Sequence, residues 1–447
     1  MAQWRIDSHE WKQPHNVTLF EAVMLADPNG NLVGPANPSG VAVDAFGRAR
    51  VSTPLTLFDS SHRYRDNSLW STSNTAGATV VHSTNEGLVN LTLPTTADAE
   101  IIRETTKVCS YQPGKSLFIM NTVVPATPKA NLRQRVGYFG AQNGIYFEID
   151  GTTAYFVERS YVTGELVETR IAQANWSNDT LQGPSVNTPG QGLGPCPSNI
   201  TLDLSKAQIF WMDIEWLGLG SVRCGFVIDG KLIHCHTFHH ANLITSTYIT
   251  TASLPVRYEI KNTGTTASSS TMKQVCSSVI SEGGYELRGL QQAASVPITT
   301  PIDLPIAGTY YTVLSIRLKA SPNRLDAIAI LTALSILGIT NNAHYNWQVR
   351  ASGTSNGGTW VSAGDDSAVE YKIDGGTYTG GRVLASGYTS GSNQGSTSVD
   401  ILKEALFKFQ LERNGLTGEP YELSLVAASN TGGADLFASI DWEEISR

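Results

Sequence analysis

Charged residues are scarce in this chain, and no block of one sign occurs. Lys, Arg, Asp and Glu make up 16% of its 447 residues, whereas an ordinary soluble domain carries about 25%. The formal net charge is −8, and no run of Lys and Arg forms a basic tract. Because nucleic-acid-binding proteins usually show such a tract or patch, we expect no nucleic-acid partner.

Long apolar segments are also missing. The first residues, MAQWRIDSHEWKQPHN, contain no apolar core of a signal peptide. The longest apolar run, residues 325–339, is too short to cross a bilayer and is interrupted by Asp326 and Thr332. We therefore expect a protein that is made in a cytosol and does not insert into a membrane.

Cysteine is rare and widely spaced. The five cysteines stand at positions 109, 196, 224, 235 and 276, and none forms a C-x-x-C pair. This spacing excludes a zinc ribbon or a thioredoxin motif and favours buried free thiols. The chain also lacks a P-loop, a G-x-G-x-x-G fingerprint after a strand and an H-E-x-x-H motif, so no cofactor is expected.

What the chain does contain is typical of β structure. Glycine is frequent, with 41 residues, and 9 Trp, 16 Tyr and 13 Phe are spread along the whole length. Short alternating segments such as residues 144–160 are divided by Asp-Gly turns at Asp150-Gly151 and Asp229-Gly230. The pattern predicts an all-β protein built from β-sandwich or jelly-roll domains.

Four regions follow from the positions of prolines and glycines. Residues 1–43 hold many breakers and predict an extended N-terminal arm. Residues 44–290 predict a central β-sandwich domain, residues 291–305 a linker containing three prolines, and residues 306–447 a C-terminal jelly-roll-like domain. Residues 326–339 fit a helix in part, but the neighbouring strands and the β-branched residues favour a strand.

A histidine cluster, HCHTFHH at 234–240, is the densest set of potential metal ligands. In a strand, His234 and His236 would share one face, and His239 or His240 could add a third ligand from the following turn. The alternative is a polar strand edge whose imidazoles contact solvent or backbone carbonyls.

Two further patterns raise the question of an enzyme. Asp213 and Glu215 alternate with apolar residues and could flank a sugar-binding groove, although a polar outer face explains them as well. Ser355 lies in a G-x-S-x-G match, but no helix is expected to follow it. We therefore predict that the protein is not an enzyme.

Several segments resemble virion structural proteins of tailed bacteriophages. They are DAFGRARVSTPLTLFDSSHRY (44–64), YQPGKSLFI (111–119), ANLRQRVGYFGAQNGIYFE (130–148), WMDIEWLGLGSVRCGFVIDGK (211–231), LPVRYEI (254–260) and ISEGGY (280–285). The resemblance covers roughly residues 40–290 and implies a structural component on the outside of a virion. It implies no catalytic residues.

The resemblance also implies where the chain makes contacts. We expect a tail-fibre, spike or baseplate-associated protein that forms a homotrimer, contacts other virion proteins through its N-terminal arm and touches a host-surface receptor or glycan. Capsid decoration and a polysaccharide-degrading spike remain alternatives. Aromatic and arginine side chains are enriched at protein interfaces, and near the arm this predicts an interface of Phe46, Arg48, Arg50, Phe58, Arg63, Tyr64 and Trp70. The alternative is a strand that packs on its own domain.

Overall fold

The structure is a computed structural model that describes residues 53–446 except residues 76, 185–194, 287, 374, 392–396 and 400–408. The predicted arm, residues 1–43, lies outside the described residues, as do Phe46, Arg48 and Arg50 of the predicted interface. The prediction of an all-β fold of sandwich and jelly-roll type is confirmed.

Fifteen strands form the first sandwich. They are β1 (Leu55–Ser61), β2 (Trp70–Asn74), β3 (Thr79–Ser83), β4 (Leu88–Leu93), β5 (Glu100–Thr105), β6 (Ser116–Val124), β7 (Leu132–Phe139), β8 (Gly144–Asp150), β9 (Thr153–Ser160), β10 (Val167–Ala172), β11 (Gln208–Ile214), β12 (Val222–Ile228), β13 (Lys231–Phe238), β14 (Val256–Asn262) and β15 (Ser270–Glu282). A 3-10 turn, Gln173–Asn175, follows β10.

These strands pair into two antiparallel sheets. The eight-stranded sheet has the order β13-β12-β11-β6-β15-β4-β3, with β1 also paired to β15. The seven-stranded sheet has the order β10-β9-β8-β7-β14-β5-β2. The predicted hairpins form at both Asp-Gly turns, β8–β9 and β12–β13. At the second turn Asp229 and Gly230 both have positive φ, as a tight two-residue hairpin requires.

The first core lies between these two sheets. Alternation along the strands places Phe147 and Phe156 of the seven-stranded sheet opposite Phe210 and Phe226 of the eight-stranded sheet. The indole of Trp176 stacks on Phe156 with ring centroids 4.2 Å apart. Burying such rings is the main favourable term for a sheet-on-sheet core.

Thirteen strands form the second part of the chain. They are β16 (Leu290–Ser295), β17 (Ile302–Leu304), β18 (Tyr311–Leu318), β19 (Ile328–Gly338), β20 (His344–Ser355), β21 (Val361–Ser362), β22 (Val369–Ile373), β23 (Tyr378–Ser390), β24 (Thr397–Val399), β25 (Arg413–Asn414), β26 (Glu419–Pro420), β27 (Glu422–Ser429) and β28 (Ala434–Ser446). The expected strand within residues 326–339 is β19.

A second sandwich is built from most of these strands. One sheet has the order β16-β28-β19-β24, with β17 also on β28, and the other has the order β21-β22-β18-β27-β20-β23. Residues 291–305, expected to be a linker, differ from that expectation because β16 and β17 both pair with β28. The reason is burial, since Leu304 and its neighbour Ile302 enter the second core.

A direct contact joins the two sandwiches. The backbone N–H of Arg413 donates to Thr106 O, and Gln410 Nε2 donates to Val108 O (2.7 Å). Beside these bonds Val108 packs with Ile328 and Ile330 in a small apolar cluster. The junction therefore combines hydrogen bonds with apolar packing.

The cysteines are free. Cys109, Cys196, Cys224 and Cys235 are buried, as expected, but Cys276 is exposed. Cys276 differs because it lies on β15 where the register with β6 shifts, which interrupts the alternation of buried and exposed positions. Across the described part of the chain, no helix is long and apolar enough to span a membrane.

Candidate functional site

The predicted histidine site does not form. In β13 the pairing passes from Cys224↔His236 to Gly225↔His234, so Cys235 is an extra, bulged residue. The bulge reverses the alternation: the His234 ring lies near Trp211, whereas the His236 ring stacks towards Phe156 of the core. The prediction that His234 and His236 share one face is wrong.

Protein groups occupy the three imidazoles instead. His234 Nε2 contacts Thr237 Oγ1 at 2.8 Å, His236 Nδ1 accepts from the Ser177 N–H at 3.2 Å, and His239 Nδ1 lies 3.5 Å from Ser221 Oγ. Among the described residues no group of three His, Cys, Asp or Glu side chains is placed to hold a metal ion.

The described part of the predicted interface divides into two pairs. Phe58 and Trp70 are buried, their rings meet edge to face at 5.9 Å, and Trp70 Nε1 donates to Ser60 Oγ at 2.9 Å. These two side chains belong to the first core and are not available to a partner. Arg63 and Tyr64 remain outside, with Tyr64 84% exposed and the guanidinium of Arg63 5.6 Å from its ring centre.

The carboxylate pair weighed for hydrolysis is also not arranged as a catalytic dyad. Asp213 is wholly buried, and its Oδ2 accepts from Arg223 Nη2 at 2.5 Å. Ser355 of the G-x-S-x-G match ends β20, a strand with no helix after it, so the serine is not on a nucleophile elbow.

A different set of residues stands out: a charge ladder on the face of the seven-stranded sheet that points away from the core. Its members, which we call the charge ladder, are Glu104, Arg135, Glu148, Asp150, Arg159, Glu168, Arg170, Arg257, Glu259 and Arg413. The set holds five arginines and five carboxylates. Most of these side chains are buried although they lie outside the core.

Strand register creates the centre of the ladder. Arg135 of β7 lies directly opposite Glu148 of β8 and Glu259 of β14. One strand further, Arg257 of β14 lies opposite Glu104 of β5. Opposite charges at directly paired positions of one face attract each other across the strands, so the ladder follows from register alone.

Arg135 is the hub of this arrangement. Its Nε donates to Glu148 Oε2 at 2.6 Å, its Nη2 to Glu168 Oε2 at 3.1 Å and its Nη1 to Glu259 Oε2 at 3.4 Å. A guanidinium carries its donors in a fixed planar fork, which lets one side chain bind three carboxylates in this way.

An aromatic ring supports the hub. Tyr146 lies beneath the guanidinium groups of Arg135 and Arg159, each 5.1 Å from the ring centre, and its hydroxyl donates to Glu168 Oε1 at 2.7 Å. The ring fits because its partner across the strands is Gly137: a Cβ there would lie 2.6 Å from the Cβ of Tyr146. A larger residue at position 137 would displace the ring and the ladder with it.

The electrostatics of the ladder keep its carboxylates ionised. Burial opposes the charged forms of Glu259 and Glu168, but the surrounding arginines outweigh burial and hold the pKa of each below its ordinary value. Burial raises the pKa of the Tyr146 hydroxyl, so Tyr146 stays neutral and remains a donor.

The ladder continues into the junction between the sandwiches. Glu104 accepts from Arg257 Nη1 at 2.9 Å and from Arg413 Nη2 at 3.3 Å. Arg413 also donates from Nη1 to the carbonyls of Thr105 (2.7 Å) and Thr106 (3.2 Å). The second sandwich is therefore fixed to the end of the ladder.

This arrangement suits holding strands together better than transferring protons. A general acid needs a raised pKa and access to substrate, whereas these carboxylates are held ionised by arginine. The sequence analysis did not find the ladder. The available signal was the charges at alternate positions in ANLRQRVGYF, IYFEID, VETR and VRYEIK, which had been assigned to ordinary polar faces.

His62 is a second unusual group. Its side chain is wholly buried, and neither ring nitrogen has a hydrogen-bond partner in the structure. Burial and the nearby Arg103 lower its pKa to about 4, against a smaller opposing effect of Asp66. Because the folded pKa lies below the unfolded value of 6.5, the neutral imidazole favours folding at neutral pH, and this contribution is lost as the pH falls from about 6.5 to about 4.

Comparison with known proteins yields structural neighbours only. The chain matches no protein-family model and no curated protein sequence. A protein of unknown function from Shewanella oneidensis MR-1 is 10% identical, with a TM-score of 0.32, 54% of this chain covered and 92% of the other. A Bacillus licheniformis β-glucanase is 13% identical, with a TM-score of 0.31 and coverage of 50% and 96%. The binding domain of botulinum neurotoxin serotype G is 12% identical, with a TM-score of 0.29 and coverage of 58% and 56%. Similarity at this level assigns no function to the chain.

Proposed function

We propose that the chain is a non-enzymatic structural protein on the outside of a tailed-bacteriophage virion. Within the virion it serves as a tail-fibre, spike or baseplate-associated component that contacts the host surface. The basis for the virion assignment is the resemblance of residues 44–285. The proposed partners are further copies of the chain, neighbouring virion proteins bound through residues 1–43, and a host-surface receptor or glycan.

The observation that supports a non-enzymatic role is the pairing of the charge ladder. Glu104, Glu148, Glu168 and Glu259 each accept hydrogen bonds from at least one arginine. An enzyme that cleaves glycosidic bonds needs a carboxyl group that can give up its proton to the leaving group. Carboxylates bound in this way contribute to a fixed sheet instead.

The junction supports a mechanical role. Arg413 bridges the two sandwiches through Glu104 and two backbone carbonyls, and the cluster of Val108, Ile328 and Ile330 excludes water beside it. Two sandwiches joined by such a contact keep a fixed relative orientation. A particle component that transmits contact from virion to host benefits from that rigidity.

A copy count on purified virions tests the proposal. Quantitative densitometry against a known capsid protein should give tens of copies or fewer per particle for a fibre, spike or baseplate component. Hundreds of copies would instead identify a capsid decoration protein. Absence of the chain from particles purified by density would refute the virion assignment altogether.

A second assay tests the absence of enzyme activity. Purified protein incubated with host polysaccharide should release no reducing ends above a heat-denatured control. If reducing ends appear, and if Glu215→Gln abolishes their release while the variant keeps its far-UV circular dichroism spectrum, the chain is a polysaccharide-degrading spike.

A further inference from the structure

Two loops at one end of the first sandwich expose four aliphatic side chains. Leu217 and Leu219 lie in the loop after β11, and Leu243 and Ile244 lie in the loop after β13. Their exposed fractions are 52%, 43%, 71% and 38%. We call these four residues the apolar tip.

The loops that carry the apolar tip are tied to each other. The backbone N–H of Tyr248 donates to Gly218 O at 3.0 Å, and His240 Nδ1 lies 2.5 Å from Gly220 O. The other nitrogen of His240 lies 2.6 Å from Glu158 Oε2, and its ring stacks on Tyr248 with centroids 3.9 Å apart. These bonds hold the tip in one shape, so its apolar surface is preformed.

Backbone strain at the tip points to a contact. Leu217 has φ of +39°, a region that costs energy for any residue with a branched side chain, and it is followed by Gly218 at +78°. Glycine or asparagine would adopt this turn more cheaply. Exposure to water gives no reason to place a leucine there, whereas a contact with another apolar surface does.

The chemistry of the loops limits what can cover the tip. Residues 215–220 and 239–249 contain no lysine or arginine. Surfaces that bind anionic lipid headgroups combine apolar side chains with basic ones. The loops therefore favour an apolar protein segment over a membrane.

The path of the chain shows which segment is near. The strand ends of β11, β6, β15 and β1 lie side by side, because Ile214 pairs with Leu117, Leu117 with Ser281 and Ser281 with Leu55. Three strand spacings separate Ile214 from Leu55, which is about 14 Å. The N-terminal residues thus enter the fold at the same end as the apolar tip.

Those N-terminal residues contain one strongly apolar segment. Residues 17–25 read VTLFEAVML, in which only Thr18 and Glu21 are polar. Residues 26–54 connect this segment to β1, and an extended chain of that length spans up to about 100 Å. The segment can therefore reach the tip easily.

We propose that residues 17–25 pack on the apolar tip of the same chain. The contact removes two apolar surfaces from water, the four aliphatic side chains of the tip and the aliphatic and aromatic side chains of the segment. It also accounts for the leucine at a strained position. The inference concerns the isolated chain and does not depend on its place in a virion.

Cysteine labelling of the full-length protein tests the contact. In a Cys276→Ser background, Leu243→Cys is compared with Val81→Cys, which lies on the distant edge strand β3 and is 57% exposed in the native residue. A maleimide should label Leu243→Cys about tenfold more slowly than Val81→Cys, since labelling then requires the minor uncovered state. Adding Leu19→Asp and Phe20→Asp should remove this difference while leaving the rate at Val81→Cys unchanged.

A disulfide trap identifies the covering chain. Phe20→Cys combined with Leu243→Cys should form an intrachain bond under mild oxidation, so the protein should run at its own mass of 48.1 kDa on a non-reducing gel. Equal labelling rates at positions 243 and 81 in the full chain would overturn the proposal. A crosslinked band at twice the mass would also overturn it, because a second copy would then supply the segment.

Discussion

Replacing Arg135 tests whether the charge ladder stabilises the fold. Arg135→Met keeps the length of the side chain but removes its five donors and its charge. Glu148, Glu168 and Glu259 then each lose one guanidinium. None of the three becomes wholly unpaired, because arginines 170, 159 and 257 remain beside them.

The structure sets the size of the expected effect. Removing one partner of a buried ion pair costs about 3–5 kcal/mol, because the other charge stays buried without compensation. Since each carboxylate keeps a second arginine, we place the loss at the lower end, about 3 kcal/mol for the whole hub. Arg135→Lys should lose about half as much, because an ammonium group keeps the charge but cannot bind three carboxylates in one plane.

Urea unfolding followed by tryptophan fluorescence measures this loss, because urea does not screen charges as a guanidinium salt would. Arg288→Met is the matched control: Arg288 pairs with Glu286 at the surface and is 75% exposed, so its loss should be about 0.5 kcal/mol or less. If Arg135→Met costs no more than Arg288→Met, the ladder does not stabilise the folded state and the reasoning on its buried charges fails.

Three further outcomes are expected. Arg413→Met should separate the unfolding of the two sandwiches into two calorimetric transitions, because it removes the bridge to Glu104; a single unchanged transition would contradict this role. His62→Leu should reduce the loss of stability between pH 6.5 and pH 4 by up to about 3 kcal/mol in urea titrations, since His62 no longer has to take up a proton on unfolding; an unchanged pH dependence would exclude it as the cause. Leu217→Gly should raise the free energy of unfolding by about 1 kcal/mol by relieving a positive φ, and a loss of stability would show that the leucine side chain contributes more than the strain costs.

Local sequence patterns predicted the elements well where a strand and its neighbour are joined by a short turn. The Asp150-Gly151 and Asp229-Gly230 turns each gave the expected hairpin, because turn chemistry and alternation are both encoded within a few residues. The same reasoning favoured a strand at residues 328–338, where β19 lies. It failed at His234 and His236, because a bulge depends on the pairing strand and leaves no mark in the alternation of one strand.

The sequence by itself determined that this chain is all-β, where most strands run, and that charged residues alternate with apolar ones in several of them. Only the tertiary structure decided which charges meet. Arg135 and Glu259 lie on β7 and β14, which are far apart in the chain yet adjacent in the sheet. The period of two tells which residues share a face, but the register of distant strands and the cover over that face arise from packing, and these two features turn ordinary surface charges into a buried ladder.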